Sequence, residues 1–228
     1  MTTLVLLPGM DGTGIAFRPF LAALDPALKV VVVSYPPDRA LGYDALLAVA
    51  RQALPADDDV VVLGESFSGP IAIALAAEGL PRLRGLVLCA TFARNPRPRA
   101  AVLGRIMAHV PMPLTALPGL SRVLLGRFDS PALRRLLAES LASVSPAVMR
   151  FRARAVMAVD MSDRLRAVTV PTLYLRGRED RVVPAAAALW VQAQAPHTSM
   201  APFDGPHGLL QSLPFETAGV IEAFVAGC

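Results

Sequence analysis

A serine stands at the centre of the stretch Leu63–Pro70, LGESFSGP, which joins two segments of opposite character. Before it, Asp57–Leu63 (DDDVVVL) combines acidic turn residues with β-branched apolar residues, a pattern typical of a short buried strand. After it, Ile71–Glu78 (IAIALAAE) predicts a helix that ends at Gly79. Ser66 therefore lies on a strand-to-helix turn, with its hydroxyl at the carboxyl end of a sheet and the positive end of a helix behind it.

Small residues flank Ser66, as such a turn requires. Two positions before the serine, Gly64 lets the strand and the helix approach each other closely. Two positions after it, Ser68 stands where a second glycine is usual, and Gly69 follows one residue later. The pattern is compatible both with a nucleophilic serine and with an ordinary strand–turn–helix junction.

Strand-like and helix-like segments alternate along most of the chain. Apolar runs predict further strands at Thr2–Leu7, Lys29–Ser34, Arg84–Ala90, Thr169–Arg176 and Ser199–Phe203, and helices at Phe17–Leu24, Tyr43–Leu54, Pro184–Gln194 and Leu209–Ala226. Strands that alternate with helices of about 10 to 15 residues form parallel sheets. We therefore predict an α/β protein with a mostly parallel sheet of about six strands and helices on both faces. The four valines of Lys29–Ser34 predict a strand that is buried on both faces.

Two further side chains with catalytic chemistry lie on loops that leave predicted strands. Asp180 follows the strand Thr169–Arg176, and His207 follows the last strand, so both reach the sheet edge that carries Ser66. A serine needs a neighbouring base to become nucleophilic at neutral pH. In this arrangement His207 takes the proton of Ser66, and Asp180 fixes the imidazole tautomer and stabilises the imidazolium.

Glu179 and the other two histidines are alternatives to these partners. Glu179 adjoins Asp180 and could orient the histidine instead, although its loop position is less favourable. His109 falls inside a predicted helix, and His197 precedes a strand at the far end of the sheet. We therefore expect Asp180 and His207 to accompany the serine.

A glycine-rich loop, Pro8–Gly14 (PGMDGTG), follows the first predicted strand. Such loops bind dinucleotides when their glycines have the spacing G-x-G-x-x-G, which Gly9, Gly12 and Gly14 do not have. The carboxylate of Asp11 would also repel a pyrophosphate. A loop that supplies a backbone N–H to stabilise an oxyanion is the better interpretation.

Residues 94–168 differ from the rest of the chain. No strand-like run occurs there, and Ser130 and Ser145, each followed by a proline, predict the N-caps of helices at Ala132–Val144 and Ala147–Asp160. The segment contains 13 arginines and 4 acidic residues and so has a net charge of +9. Because the whole chain carries +4, the remainder is mildly acidic at −5.

The loop PGMDGTG, the turn GESFSG and the order Ser…Asp…His resemble the α/β-hydrolase family. The resemblance implies an α/β-hydrolase core made of residues 1–93 and 169–228, with residues 94–168 as a helical lid. It also implies a serine carboxylic ester hydrolase, since lipid-ester hydrolases and acyltransferases are among the relatives. An acyltransferase, a lyase or haloperoxidase-type enzyme, and a non-catalytic binding protein on the same scaffold are the alternatives.

The same resemblance assigns roles to five residues. Ser66, Asp180 and His207 would form a catalytic triad that works through an acyl-enzyme intermediate on the serine. The backbone N–H groups of Met10 and Phe67 would form the oxyanion hole, because these residues follow the first glycine of the loop and the nucleophile.

Three residues of the predicted lid are candidates for substrate binding. Met107 and Phe151 belong to an apolar set at helical spacing that would line an acyl pocket, unless the set only packs the lid. Its other members are Leu103, Ile106, Leu124, Leu125 and Val156. Arg152 lies in the middle of the apolar side of its helix, so it should pair with a carboxylate or reach an anionic substrate group, unless it snorkels to solvent.

Four arginines of the predicted lid are candidates for binding a partner. Arg134, Arg135, Arg150 and Arg154 project from two consecutive helices. A small neutral ester gains nothing from this charge, whereas an acyl carrier protein, which is acidic, would associate faster. A solvated charged surface is the alternative interpretation.

The composition disfavours several other classes. Two cysteines, Cys89 and Cys228, and no histidines at metal-ligand spacing predict neither a disulfide framework nor a metal, and we expect no cofactor. The sequence shows no run of about 18 apolar residues and no evident secretory signal, which favours a cytoplasmic protein without a membrane span. Aromatic residues make up only 6%, so nucleic-acid binding is not expected despite the arginines.

Overall fold

The computed structural model describes residues 2–98 and 117–228. In these residues one sheet has six strands: β1 (Thr2–Leu7), β2 (Lys29–Val32), β3 (Asp59–Glu65), β4 (Leu83–Cys89), β5 (Thr172–Gly177) and β6 (Thr198–Phe203). All neighbouring strands are parallel, and their order is β2-β1-β3-β4-β5-β6. The predicted six-stranded parallel sheet is confirmed.

Helices cover both faces of this sheet. They are α1 (Arg18–Ala23), α2 (Tyr43–Gln52), α3 (Gly69–Ala76), α4 (Leu117–Leu125), α5 (Pro131–Ala142), α6 (Pro146–Ala158), α7 (Ser162–Arg166), α8 (Ala185–Gln194), α9 (Leu209–Ser212) and α10 (Pro214–Ala226). Successive residues of a strand point to opposite faces. Val5 and Leu7 of β1 accordingly pack with α2 and α3, whereas Leu4 and Leu6 pack with α1 and α10.

The second strand is less buried than its valines predict. Strand β2 lies at the edge of the sheet, and the side chain of Val32 is 37% exposed. The prediction of a strand buried on both faces is therefore wrong. A run of valines indicates a strand, but the number of neighbouring strands decides how deeply it is buried.

The carboxyl-terminal helix is divided into two. The sequence predicts one helix over Leu209–Ala226, but Leu213 has φ −131° and ψ 55° and separates α9 from α10. Pro214 explains the break, since a proline disfavours the helical conformation of the residue before it. The first of the two helices, α9, begins two residues after His207.

Four described helices, α4 to α7, lie between β4 and β5. Both predicted N-caps are confirmed: the Ser130 hydroxyl accepts a hydrogen bond from the N–H of Leu133, and that of Ser145 from the N–H of Val148. The division into a core and a lid at residues 94–168 stays a prediction. No helix within the described ranges is long and apolar enough to cross a membrane.

Candidate active site

Ser66 occupies a strained turn between β3 and α3. Its φ of +48° lies in the left-handed region, which non-glycine residues rarely adopt. Gly64 makes the turn possible, because a β-carbon there would lie 2.7 Å from the Cβ of Ala72 and 2.8 Å from the carbonyl oxygen of Ser68. The backbone conformation thus exposes the serine side chain where the strand ends.

Ser68 has a structural use in the position where a glycine is usual. Its buried hydroxyl donates a hydrogen bond to the carbonyl oxygen of Pro8 and lies 2.9 Å from the hydroxyl of Tyr35. Gly69, one residue later, is the position where a side chain does not fit, since a β-carbon there would overlap the side chain of Thr91. The Thr91 hydroxyl in turn donates to the carbonyl oxygen of Ser66.

The structure brings Ser66, His207 and Asp180 together. Ser66 Oγ lies 2.9 Å from His207 Nε2, and His207 Nδ1 lies 2.8 Å from Asp180 Oδ2. The side chains of His207 and Asp180 are only 8% and 2% exposed. Asp180 Oδ1 accepts hydrogen bonds from the N–H groups of Val182 and Val183 at 2.7 and 2.8 Å. Both carboxylate oxygens are therefore fixed, and one of them faces the imidazole.

The alternative partners lie elsewhere. Glu179 pairs with Arg127 at 3.2 Å, whereas the histidine contacts Asp180. His197 is exposed and immediately precedes β6. His109 falls outside the described residues.

The loop after β1 forms a tight turn beside the end of β3, where Leu7 pairs with Gly64. The N–H of Gly12 donates to the carbonyl oxygen of Gly9 at 3.0 Å, which closes a four-residue turn with Met10 and Asp11 at its centre. The Gly9 carbonyl and the Met10 N–H belong to one peptide plane, so this hydrogen bond also fixes the direction of that N–H. Phe67, the other predicted donor, directly follows the serine.

Glu65 is a component of the site that the sequence analysis does not predict. The side chain is 6% exposed and accepts a hydrogen bond from Gln211 Nε2 at 2.9 Å. Burial raises the pKa of Glu65 to about 7, against the lowering effect of the Gln211 hydrogen bond; Asp11 raises it further and His207 lowers it. The sequence signal was a carboxylate at the end of an apolar strand, beside the serine.

Arg152 lies on the predicted side of its helix, and its partners in the chain are main-chain carbonyls. Its side chain is fully buried, and Nη1 donates to the carbonyl oxygens of Met10 and Asp11 at 2.9 and 2.7 Å. Nη2 donates to the carbonyl oxygen of Pro36 at 3.1 Å. Arg152 forms no ion pair with a carboxylate of the described residues, and its full burial excludes snorkelling to solvent; contact with a substrate anion stays a prediction. Main-chain carbonyls accept hydrogen bonds from Nη1 and Nη2 instead, whereas the buried Nε has no hydrogen-bond partner among the described residues.

The other predicted substrate contacts divide into three groups. Met107, with Leu103 and Ile106, lies outside the described residues. Phe151 is 38% exposed, so its ring lies at the surface of α6. The carboxyl end of α4 does approach the site, because the carbonyl oxygen of Leu124 accepts the N–H of Gly208, the residue after His207, at 2.9 Å.

The four arginines of the predicted partner surface have different surroundings. Arg134 pairs with Asp129 at 2.8 Å. Arg135 and Arg154 are exposed, and Arg150 is half-buried. The guanidinium of Arg134 is thus already engaged within the chain.

The sequence model of the alpha/beta hydrolase family matches residues 4–220. The chain therefore belongs to the α/β-hydrolase family. One sequence relative, chloroplastic phytyl ester synthase 1 of Arabidopsis thaliana, is 36% identical over 81 residues. That match spans 33% of this chain and 12% of the synthase.

Solved structures share the fold over nearly the whole chain. The enol-lactonase of Burkholderia xenovorans LB400 superposes with a TM-score of 0.84 and 17% identity, covering 99% of this chain and 91% of the lactonase. The bromoperoxidase of Bacillus anthracis has a TM-score of 0.84 and 19% identity, covering 99% of this chain and 92% of the bromoperoxidase. The esterase RhEst1 of Rhodococcus sp. ECU1013 has a TM-score of 0.78 and 24% identity, covering 99% of this chain and 90% of the esterase. At these identities the likeness establishes the fold alone.

Proposed function

We propose that this protein is a serine hydrolase that cleaves carboxylic esters through an acyl-enzyme intermediate on Ser66. The observation that carries the proposal is the hydrogen-bonded chain from Ser66 Oγ through the His207 ring to Asp180 Oδ2, at 2.9 and 2.8 Å. Membership of the α/β-hydrolase family, whose solved relatives include esterases, supports it.

The distances suit two proton transfers. His207 Nε2 accepts the proton of the Ser66 hydroxyl while the oxygen attacks the ester carbonyl, and then delivers it to the departing alkoxide. Asp180 accepts the Nδ1 hydrogen and stabilises the imidazolium between these steps. A water molecule, deprotonated by the same imidazole, then attacks the acyl carbonyl; the bond from that carbon to Ser66 Oγ breaks, and His207 returns the proton to Ser66 Oγ as the acid leaves.

The oxyanion would lie between two peptide N–H groups, those of Met10 and Phe67. Backbone donors that already have the required orientation before the reaction stabilise the developing negative charge without having to reorganise. The turn from Gly9 to Gly12 fixes the first peptide, and the short 3-10 helix Ser66–Ser68 contains the second.

The test is covalent labelling with a fluorophosphonate, which reacts with activated serines. The wild type should label at one site and turn over p-nitrophenyl acetate, whereas Ser66→Ala should do neither. Ser143→Ala is the matched control, because it removes an exposed serine hydroxyl far along the chain from the site. Asp180→Asn should lower kcat by roughly 10⁴-fold with folding intact. Absence of labelling in the folded wild type would remove the hydrolase proposal.

Acyl transfer to an alcohol is a second candidate, favoured by the local similarity to phytyl ester synthase 1. It uses the same acyl-enzyme, which an alcohol attacks in place of water. Incubating the enzyme with an acyl ester and a long-chain alcohol distinguishes the two. A new ester in excess over free acid identifies a transferase, and free acid alone identifies a hydrolase.

The exposed arginines support a narrower proposal on the acyl donor, an ester or thioester on an acidic carrier protein. Arg135 and Arg154 are exposed, Arg134 is exposed but pairs with Asp129, and Arg150 is half-buried. Salt raised from about 50 to about 300 mM should then slow turnover of the carrier-bound substrate far more than that of the free ester. Equal salt responses, or an unchanged rate in Arg135→Glu/Arg154→Glu, would remove the carrier protein.

A further inference from the structure

Arg152 links a helix of the segment between β4 and β5 to the turn that holds Met10. The residue belongs to α6, yet its guanidinium donates to the carbonyl oxygens of Met10 and Asp11, about 140 positions earlier in the chain. These are the two central residues of the turn that the hydrogen bond between Gly12 and Gly9 closes. Both outward-facing carbonyls of this turn are therefore bound by one side chain.

The loop is shaped to receive this guanidinium. Gly12 has φ +74°, and a β-carbon on it would lie 2.9 Å from Arg152 Cζ and 3.0 Å from Nη2. Any side chain at this position would therefore displace the arginine. Gly12 must lack a Cβ for two reasons: its backbone is left-handed, and the Arg152 guanidinium packs directly against it.

The guanidinium also contacts the second half of the predicted oxyanion hole. Its Cζ lies 6.0 Å from the ring centroid of Phe67 and 5.7 Å from that of Tyr35. A buried guanidinium over aromatic rings is attracted by their π-electrons. Arg152 therefore touches the residues of both predicted donors, Met10 through its carbonyl and Phe67 through its ring.

The geometry of the peptide unit connects these contacts to catalysis. Holding the carbonyl of Met10 restricts ψ of that residue, and the bond between Gly12 and Gly9 restricts the preceding peptide plane, which carries the Met10 N–H. With the guanidinium removed, the carbonyls of Met10 and Asp11 lose this donor and the turn can rotate. The N–H would then point away from the oxyanion for part of the time.

We propose that Arg152 is a positioning residue that sets the direction of the Met10 N–H towards the oxyanion. The inference rests on the proposed function, since it requires an ester carbonyl to react at Ser66. Because the arginine belongs to α6, this segment contributes to transition-state stabilisation as well as to covering the sheet.

Steady-state kinetics with p-nitrophenyl acetate test the inference. Losing an oxyanion donor lowers kcat by roughly 10² to 10³-fold in serine hydrolases, and a misdirected donor should account for about 10 to 100-fold. Arg152→Met should therefore lower kcat by that factor while KM changes less than about threefold. Arg152→Lys keeps a charge but cannot span three carbonyls, so its kcat should lie between those of the wild type and Arg152→Met. Arg164→Met, an exposed arginine on α7, should match the wild type.

Rates are expressed per serine that the fluorophosphonate labels, so that unfolded molecules do not count. An aryl trifluoromethyl ketone, which forms an oxyanion adduct with the serine, should lose affinity in Arg152→Met in proportion to kcat/KM. A lower melting temperature with an unchanged rate per labelled serine in both Arg152 variants would show a structural role only and would overturn the inference. A wild type that neither labels nor turns over ester would instead overturn the proposed function.

Discussion

Ser68→Ala tests whether the hydroxyl in the usual glycine position is needed for stability. The Ser68 side chain is fully buried, donates to the carbonyl oxygen of Pro8 and lies 2.9 Å from the hydroxyl of Tyr35. The variant leaves both groups buried without this partner. An orphaned buried polar group costs about 1–3 kcal/mol, so we expect a loss of about 3 kcal/mol in the free energy of unfolding.

Urea denaturation followed by tryptophan fluorescence measures this loss, and calorimetry checks it. A change of 1 kcal/mol shifts Tm by about 2–4 °C in a domain of this size, which predicts a fall of about 6–12 °C. Tyr35→Phe should cost less in the Ser68→Ala background than in the wild type, because it then removes a hydroxyl that has already lost its partner. The coupling between the two changes should be about 1 kcal/mol.

Ser143→Ala is the control for this experiment. Its hydroxyl also donates to a main-chain carbonyl, that of Glu139 at 2.8 Å, but the residue is exposed. Water replaces the lost hydrogen bond there, so the change should stay within about 0.5 kcal/mol. If Ser68→Ala were as stable as Ser143→Ala, the burial argument would be refuted.

Two more predictions concern Glu65 and Gly69. The folded-state pKa of Glu65 is raised from 4.5 to about 7, so between these values the native state binds more protons than the unfolded state, and stability falls as the pH rises. Between pH 4.5 and 8, the free energy of unfolding of Glu65→Gln should rise relative to that of the wild type by up to roughly 3 kcal/mol in denaturation experiments. The same change at the exposed Glu216 should have little effect. If the free energies of unfolding of Glu65→Gln and of the wild type changed in parallel with pH, this reasoning would be contradicted. Gly69→Ala should cost about 3 kcal/mol because the new methyl overlaps the buried Thr91, while Gly219→Ala, in open space on α10, should stabilise by up to about 1 kcal/mol. Similar melting temperatures for the two alanine variants would refute the packing argument.

The sequence by itself determines the order of the strands and of most helices, and it places many of their bounds within about two residues. Hydrophobic period and turn residues are local signals, and β1 runs over Thr2–Leu7 as predicted. The N-caps Ser130 and Ser145 are local for the same reason, since each bonds an N–H three residues further on. Ser66, Asp180 and His207 could be selected because parallel strands bring their carboxyl ends to one edge of a sheet.

Contacts between distant segments decide what the sequence leaves open. The period of α6 places Arg152 on its buried side, but the carbonyls of Met10 and Asp11 become its partners only when α6 packs over the loop after β1. Burial of Glu65 likewise depends on Gln211, which α9 brings beside it. Periodicity describes which face of an element is covered, whereas the identity of the covering groups, and with it the energetics of a buried charge, depends on the tertiary structure.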